Sequence, residues 1–129
     1  MAIGVSEEHE ALAASVRGWA ERAGVRESAR AALDGPEERP SWWSALADQG
    51  LLGLHVSTES GGSGAGGVEL AVTVEELGRA LTPGSALPTL LVSLILAQSP
   101  GTAAKELLPG LVDGSVTAAV ALSDELTCT

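Results

Sequence analysis

Few residues in this sequence have the chemistry of a catalytic or metal-binding centre. The chain holds two histidines, His9 and His55, and one cysteine, Cys128. Two histidines are too few for a metal site, and a single cysteine can form neither an internal disulfide nor a thiolate cluster. No feature of the sequence brings a histidine to a serine and an aspartate, so a catalytic triad is not predicted. We therefore predict no metal site and no catalytic triad in this chain.

The most unusual stretch is the glycine-rich segment 60–67, which reads SGGSGAGG. It lacks the Lys-Ser/Thr pair of a P-loop, and it does not follow a long buried strand as a dinucleotide-binding fingerprint does. Glycines at this density also permit tight backbone turns. We interpret the segment as a tight connection between two helices rather than as a ligand-binding loop.

Helical patterns flank this loop on both sides. Apolar residues recur at helical spacing up to Ala23 and again from Leu70 to Leu81, with Ser6 and Ser41 placed to act as N-caps. Residues 27–39 predict a short helix and a mobile loop. The run Leu87–Ala97 is almost wholly apolar and predicts a helix buried on nearly all sides. A further helix is expected to begin at Ser99-Pro100 and to break or kink near Pro109.

Single residues within these helices carry their own expectations. Trp42 and Trp43 lie about 100° apart on a helix, so we expect one of them inside and the other covering a second surface. Glu75 and Glu76 are expected on solvated helix faces, and Glu75 can pair with Arg79 four residues on. Gly78 interrupts good helix formers, which predicts close helix packing at that point.

The end of the chain changes character. Residues 116–122 read VTAAVAL and predict an extended strand, for which the chain offers no partner strand. We therefore predict an all-α fold, an orthogonal bundle of about five to six helices over residues 1–115. Residues 116–129 would then begin a β domain that this sequence does not contain.

Charge and hydropathy exclude several kinds of partner. Seven basic and 17 acidic residues give a net charge of −10, which repels nucleic acid and anionic membrane surfaces. Run 87–97 is far shorter than the roughly 18 to 20 residues of a membrane span. The first residues lack the pattern of a signal peptide, and cysteine is almost absent, so a cytoplasmic setting is expected.

Four segments together resemble a known family. They are WWSALADQGLLGLHV, ESGGSGAGGVELAVTVEELGRAL, KELLPGLVDG and VTAAVALSDE. Their order and spacing resemble the N-terminal helical domain of the acyl-CoA dehydrogenase family, entering the first strand of its β domain. The resemblance implies an oxidoreductase of lipid metabolism that desaturates an acyl-CoA thioester with FAD as cofactor.

The family fold adds a middle β domain and a C-terminal helical bundle, so this chain resembles about the first third. The resemblance implies that FAD is held mainly by parts absent here and that the catalytic base belongs to the C-terminal bundle. The implied partners are the acyl-CoA substrate and the remaining domains or a partner subunit, within a homo- or hetero-oligomer. This segment alone would lack dehydrogenase activity.

The same resemblance suggests two sets of binding residues. One wall of the acyl pocket would be formed by Leu90, Leu91, Leu94 and Ile95. The flavin would be contacted by Leu122 and Ser123, where the Ser123 hydroxyl replaces the usual threonine hydroxyl as a hydrogen-bond partner. Asp124 and Glu125 depart from the family's Glu-Pro at these positions.

Three hypotheses remain open on the sequence alone. The first is the N-terminal domain of a flavin-dependent acyl-CoA dehydrogenase, which walls the acyl pocket and supports the flavin interface. The second is a non-catalytic helical assembly subunit that packs on a catalytic partner, and the altered segment after Ser123 favours it. The third is an unrelated acidic helical bundle, which would lack the long apolar helix near residues 87–97.

Overall fold

The computed structural model describes residues 5–35, 39–99 and 101–121. Within these ranges six α-helices form, joined by one short 3₁₀ turn at Thr58–Ser60. The helices are α1 (Glu7–Arg22), α2 (Val25–Ala31), α3 (Trp43–Asp48), α4 (Gly67–Arg79), α5 (Ala86–Gln98) and α6 (Thr102–Val112). The prediction of an all-helical domain is confirmed.

Helix α1 begins as the sequence predicts and packs along α4. The Ser6 hydroxyl accepts the backbone N–H of His9, and the His9 ring accepts the backbone N–H of Ser6 in return. This reciprocal arrangement satisfies two N–H groups that the first turn leaves without helical partners. The helix ends before Gly24, whose φ of 68° turns the chain directly into α2.

The two adjacent tryptophans differ from expectation, because both are buried in the same core. Trp42 precedes the first turn of α3, packs edge-on against Trp19 and donates its indole N–H to the Ser28 hydroxyl. Trp43 turns to the other side and donates its indole N–H to the Gly114 carbonyl at 2.8 Å. The prediction that one would cover a second surface was wrong, since α2 and the turn after α6 cover both sides.

The main core is formed by side chains from helices α1 to α5 and from the segment after α3. Its buried side chains are Val16, Trp19, Ala20, Val25, Trp42, Trp43, Leu46, Leu51, Leu52, Leu70, Leu77, Ala86 and Leu90. A smaller cluster of Val56, Ala104 and Leu108 lies under α6. The absence of Phe and Tyr leaves three tryptophans to supply the large side chains of this core.

The glycine-rich loop folds back on the segment that follows α3. Backbone N–H groups of Ser63, Gly64 and Ala65 donate to the carbonyls of Gly53, Val56 and Leu54. At Gly62 any side chain would collide with the Val56 and Gly53 carbonyl oxygens. The prediction of a tight connection is therefore confirmed for this loop.

Some helix limits differ from the sequence prediction. Helix α2 begins at Val25, before the predicted segment 27–39. Helix α3 has Trp42 and not Ser41 at its N-cap, and α6 begins after Gly101 rather than at Ser99. The expected break near Pro109 is absent, since α6 continues through it to Val112. Pro109 has no backbone N–H, so α6 lacks the one helical hydrogen bond that this residue would donate to the Lys105 carbonyl.

The predicted C-terminal strand is not shown in residues 116–121, which have no regular secondary structure. A strand needs a partner for its ladder hydrogen bonds, and the described chain supplies none. Instead, the backbone N–H of Val116 donates to the Gly110 carbonyl, and that of Ala118 donates to the Thr89 hydroxyl. Leu122, the last residue of the predicted strand, lies outside the described residues.

Candidate functional site

Helix α5 carries a stripe of exposed leucine and isoleucine side chains. Leu87, Leu91 and Ile95 follow one another at intervals of four residues and are 50%, 44% and 52% exposed. We call these three residues the α5 stripe. The expectation that this helix is buried on nearly all sides was wrong for the described chain. Large apolar side chains in one exposed row are typical of a surface that another molecule covers.

The four residues predicted to wall an acyl pocket divide between two faces of this helix. Leu91 and Ile95 belong to the α5 stripe. Leu90 is buried in the main core, and Leu94 is half-buried against it. Two of the four side chains are therefore exposed, and the other two attach the helix to the core.

A small apolar cleft adjoins the stripe where α4 ends and α5 begins. Its volume is about 130 Å³, and its lining residues are Val74, Leu77, Gly78, Thr82, Ala86, Leu87 and Leu90. The Thr82 hydroxyl is satisfied by the Leu77 carbonyl at 2.6 Å, so it does not make the cleft polar. A Cβ atom added at Gly78 would meet no atom within 4 Å. Gly78 thus opens the cleft, and the prediction of close helix packing there was wrong.

The opposite face of α5 is fixed by two polar side chains. The Thr89 hydroxyl bonds the backbone of Ala118, and the Ser93 hydroxyl lies 3.0 Å from Nε2 of His55. Thr89 and Ser93 are 1% and 0% exposed. These bonds hold the helix from behind while the α5 stripe faces outward. The sequence did not predict a role for Thr89 or Ser93. A hydroxyl group within an apolar helix gives no sign of the distant residue with which it forms a hydrogen bond.

A second cleft, of about 460 Å³, lies between α1, α2 and α4 and collects charged residues. Arg17, Arg26 and Arg79 line it together with Glu21, Glu27 and Glu76. Glu76 is 6% exposed and accepts two hydrogen bonds from Arg17. The expectation of a solvated face was wrong for Glu76, whereas Glu75 is exposed and pairs with Arg79 as predicted.

The electrostatics of this cleft stabilise Glu76 as a carboxylate. The hydrogen bonds from Arg17 are the main cause that lowers the pKa of Glu76, and burial opposes them. Three guanidinium groups face three carboxylates there, so the cleft has no net positive charge with which to attract a phosphate group. We interpret the cluster as a structural connection between α1 and α4.

The predicted flavin contacts cannot be located in the structure. Leu122 and Ser123, the predicted flavin contacts, lie outside the described residues. Over the ranges that the structure describes, His, Cys, Asp and Glu form no group of three that could hold a metal ion. In those same ranges, every helix is too short or too polar to cross a membrane.

Comparison with known proteins decides the family. The model of the acyl-CoA dehydrogenase N-terminal domain matches residues 6–115. This chain belongs to the acyl-CoA dehydrogenase family. The predicted resemblance is thereby confirmed, and the hypothesis of an unrelated acidic bundle was wrong.

Proteins named acyl-CoA dehydrogenases match most of the chain. Acyl-CoA dehydrogenase FadE12 of Mycobacterium tuberculosis is 34% identical over 125 residues, which cover 92% of this chain and 31% of FadE12. Acyl-CoA dehydrogenase IpdE2 of Mycolicibacterium smegmatis is 36% identical over 94 residues, or 71% of this chain and 30% of IpdE2. This acyl-CoA dehydrogenase segment therefore spans about a third of the length of these relatives.

A solved structure shows the same fold. A variant of the Tcur3481-Tcur3483 steroid ACAD superposes on the chain with a TM-score of 0.73 and 34% sequence identity. The superposition covers 86% of this chain and 31% of the solved chain. The helical arrangement described above is thus that of an acyl-CoA dehydrogenase N-terminal domain.

Proposed function

We propose that this chain is the N-terminal helical domain of an FAD-dependent acyl-CoA dehydrogenase and that its α5 stripe forms part of the acyl-pocket wall. The observation that carries the proposal is the exposed row Leu87, Leu91 and Ile95 on a helix whose other face is attached to the core. A site for an acyl chain needs a shaped apolar wall with few polar groups. The α5 stripe and the adjoining cleft have that composition.

Burial of the α5 stripe against a partner is energetically favourable. Three large apolar side chains that are about half-exposed each lose contact with water when a partner covers them. At about 25 cal/mol per Å² of apolar area, such burial is a substantial driving force. Helix α5 contains no charged residue that would oppose it. Leu90 and Leu94 would support the wall from behind rather than touch the substrate with their whole side chains.

The cleft lined by three arginines is poorly suited to the phosphates of FAD, because three carboxylates line it as well. Arg17 and Arg79 are bonded to the carboxylates of Glu76 and Glu75. Arg26 donates to the Arg79 backbone carbonyl. We therefore propose that flavin binding and proton abstraction depend on domains outside residues 1–129. Contact of Leu122 and Ser123 with the flavin remains part of the proposal.

The proposed boundary between domains lies near residue 115. Residues 115–118 are tied to α5 and α6 through Thr89 and Gly110. We propose that residues 1–115 form the helical domain, that residues 116–129 lead into the β domain, and that the protein works in the cytoplasm. Partners would be the acyl-CoA substrate and the remaining domains, in the same polypeptide or in a partner subunit.

The test is to combine the chain with the remaining domains and to measure two quantities. The first is bound FAD, and the second is flavin reduction by acyl-CoA under anaerobic conditions. The matched variants are Leu91→Ala and Leu107→Ala, because these leucines are 44% and 43% exposed on different helices. We expect Leu91→Ala to raise the acyl-CoA concentration needed for half-maximal reduction about threefold to tenfold, with Leu107→Ala close to wild type.

Two results would contradict the proposal. If the complex binds FAD and reacts with acyl-CoA equally well in both variants, the stripe does not wall the pocket. If the complex assembles through the stripe but this chain affects neither flavin nor substrate, the chain is a non-catalytic assembly subunit.

A further inference from the structure

We propose that His55 is a positioning residue for α5: its neutral side chain anchors the buried face of the helix through Ser93, and its protonation loosens the helix. This inference goes beyond the proposed function, because it concerns how the stripe is held and can be measured without flavin or acyl-CoA. It rests on the hydrogen-bond geometry around Ser93.

The hydrogen bonds around Ser93 favour one tautomer of His55. The Ser93 hydroxyl lies 2.9 Å from the Leu90 carbonyl, to which it can donate, and 3.0 Å from Nε2 of His55. We assign the proton of His55 to Nε2, which then donates to the Ser93 oxygen, because a proton on Nδ1 would be a buried donor without a partner. The other ring nitrogen, Nδ1, is buried without a hydrogen-bond partner.

Protonation of His55 would disturb this arrangement. A second proton would sit on Nδ1, where no acceptor is in reach, and a buried donor without a partner is unfavourable. Burial also lowers the pKa of His55. A histidine with a lowered folded pKa contributes its full stability above the unfolded value of 6.5 and loses it as the pH falls toward the folded pKa.

The charged groups around this histidine are few. Glu59 of the 3₁₀ turn and Lys105 of α6 line the same cleft as His55, and they carry opposite charges. Neither forms a hydrogen bond or ion pair with His55 in the described structure. Helix α5 itself has no titratable side chain. A proton added to His55 would thus find no compensating partner in this arrangement.

The position of Ser93 connects the histidine to the α5 stripe. Ser93 follows Leu91 by two residues, or about 200° of helical rotation, so the two side chains point to opposite faces. A bond that fixes Ser93 therefore fixes the rotation of the helix and the direction in which the stripe points. Loss of this bond would leave Thr89 as the polar attachment on that face.

The experiment uses the full 129-residue chain carrying His9→Gln, which leaves His55 as the sole histidine. Glutamine is a normal capping-box residue, so this change keeps the start of α1. The measurements are the NMR titration of the imidazole and the hydrogen-exchange protection factors of backbone amides at pH 7.5 and 5.5. A second variant adds His55→Gln, whose side-chain amide can donate to Ser93 but does not titrate.

We expect protection of the α5 amides to fall about tenfold at the lower pH in the His9→Gln chain, while α1 changes less than twofold. We also expect the imidazole to titrate below its ordinary range. With His55→Gln the pH dependence of α5 should disappear. The proposal is overturned if α5 protection is independent of pH, if it falls equally in α1, or if it still falls with His55→Gln. An imidazole pKa at or above 6.5 in the His9→Gln chain would also overturn the proposal. This measurement does not depend on whether the second variant folds.

Discussion

Arg17 of α1 donates two hydrogen bonds to the carboxylate of Glu76 on α4, from Nε to Oε2 at 3.0 Å and from Nη2 to Oε1 at 2.9 Å. The carboxylate side chain is 6% exposed, whereas the guanidinium side chain is 57% exposed. The pair therefore closes the solvent-facing edge of the contact between these two helices. Paired geometry of this kind is stronger than an ordinary surface ion pair.

Glu76→Ala should lower the free energy of unfolding by about 1–2 kcal/mol, because it removes two charge-assisted hydrogen bonds from a buried acceptor. The matched control is Glu75→Ala, one residue earlier, whose side chain is 60% exposed and pairs only with Arg79 of its own helix. We expect that control to change stability by less than about 0.5 kcal/mol. Urea denaturation at pH 7 measures both variants, and equal losses would show that the Arg17 pair has no special role.

The contribution of Glu76 should also depend on pH. Arg17 lowers the pKa of Glu76 below its ordinary value of 4.5. A carboxyl with a lowered folded pKa stabilises the protein above the unfolded value and loses that stability as the pH falls through the folded value. The difference in stability between wild type and Glu76→Gln should therefore be constant near neutrality and shrink below about pH 4.5. A difference that grows in acid would contradict this account.

Leu81 follows the C-cap residue of α4 and has a conformation that leucine rarely adopts. Its φ is 58°, and its side chain is 60% exposed. The left-handed conformation costs a leucine about 1–2 kcal/mol, and glycine is the usual residue at such a helix end. Leu81→Gly should therefore raise the free energy of unfolding by about 1 kcal/mol, measured by thermal or urea denaturation.

Ala80 supplies the control for that substitution. Its φ of −76° is right-handed, so Ala80→Gly should lower stability by up to about 1 kcal/mol. If both glycine variants lower stability, contacts of the Leu81 side chain outweigh its backbone strain.

Two glycines should respond in opposite ways to replacement by alanine. A Cβ atom at Gly62 would overlap the Val56 and Gly53 carbonyl oxygens, so Gly62→Ala should cost about 3 kcal/mol or more. Gly78 lies within α4 with no atom near its absent Cβ, so Gly78→Ala should raise stability by about 1 kcal/mol. Comparison of the two midpoints in urea tests the packing of the glycine-rich loop. Similar effects of both changes would mean that the loop is not packed as described.

Much of this fold follows from local sequence signals. The Ser6 cap and the pairing of Glu75 with Arg79 depend on residues close together in the chain, and both are present in the structure. The family motifs likewise identify the domain, because their order along the chain does not depend on tertiary packing.

Other features depended on partners distant in sequence. The burial of Glu76 requires Arg17, which lies 59 residues away, so spacing within α4 could not reveal it. Both tryptophans are buried because α2 and Gly114 lie on different sides of α3. The sequence did not predict the exposed side of α5, because an apolar helix can have the same sequence whether its own chain or another molecule covers it.

The sequence predicted only part of the exposed α5 stripe. Leu91 and Ile95 are exposed, Leu90 is buried in the core, and Leu87 belongs to the stripe although it was not among the predicted residues. Helical rotation relative to the core distinguishes these residues, and a nearly uniform apolar run gives no signal of that rotation.

Photolabelling tests directly whether the α5 stripe touches the acyl group. An acyl-CoA with a diazirine at the end of its chain is bound to the chain assembled with its remaining domains, then irradiated and digested with trypsin. Residues 80–105 contain the whole of α5 and are released as one peptide by cleavage after Arg79 and Lys105. We predict label on this peptide at Leu87, Leu91 or Ile95, with competition by unmodified acyl-CoA. Competable label on other peptides of the complex, with none on residues 80–105, would contradict the claim.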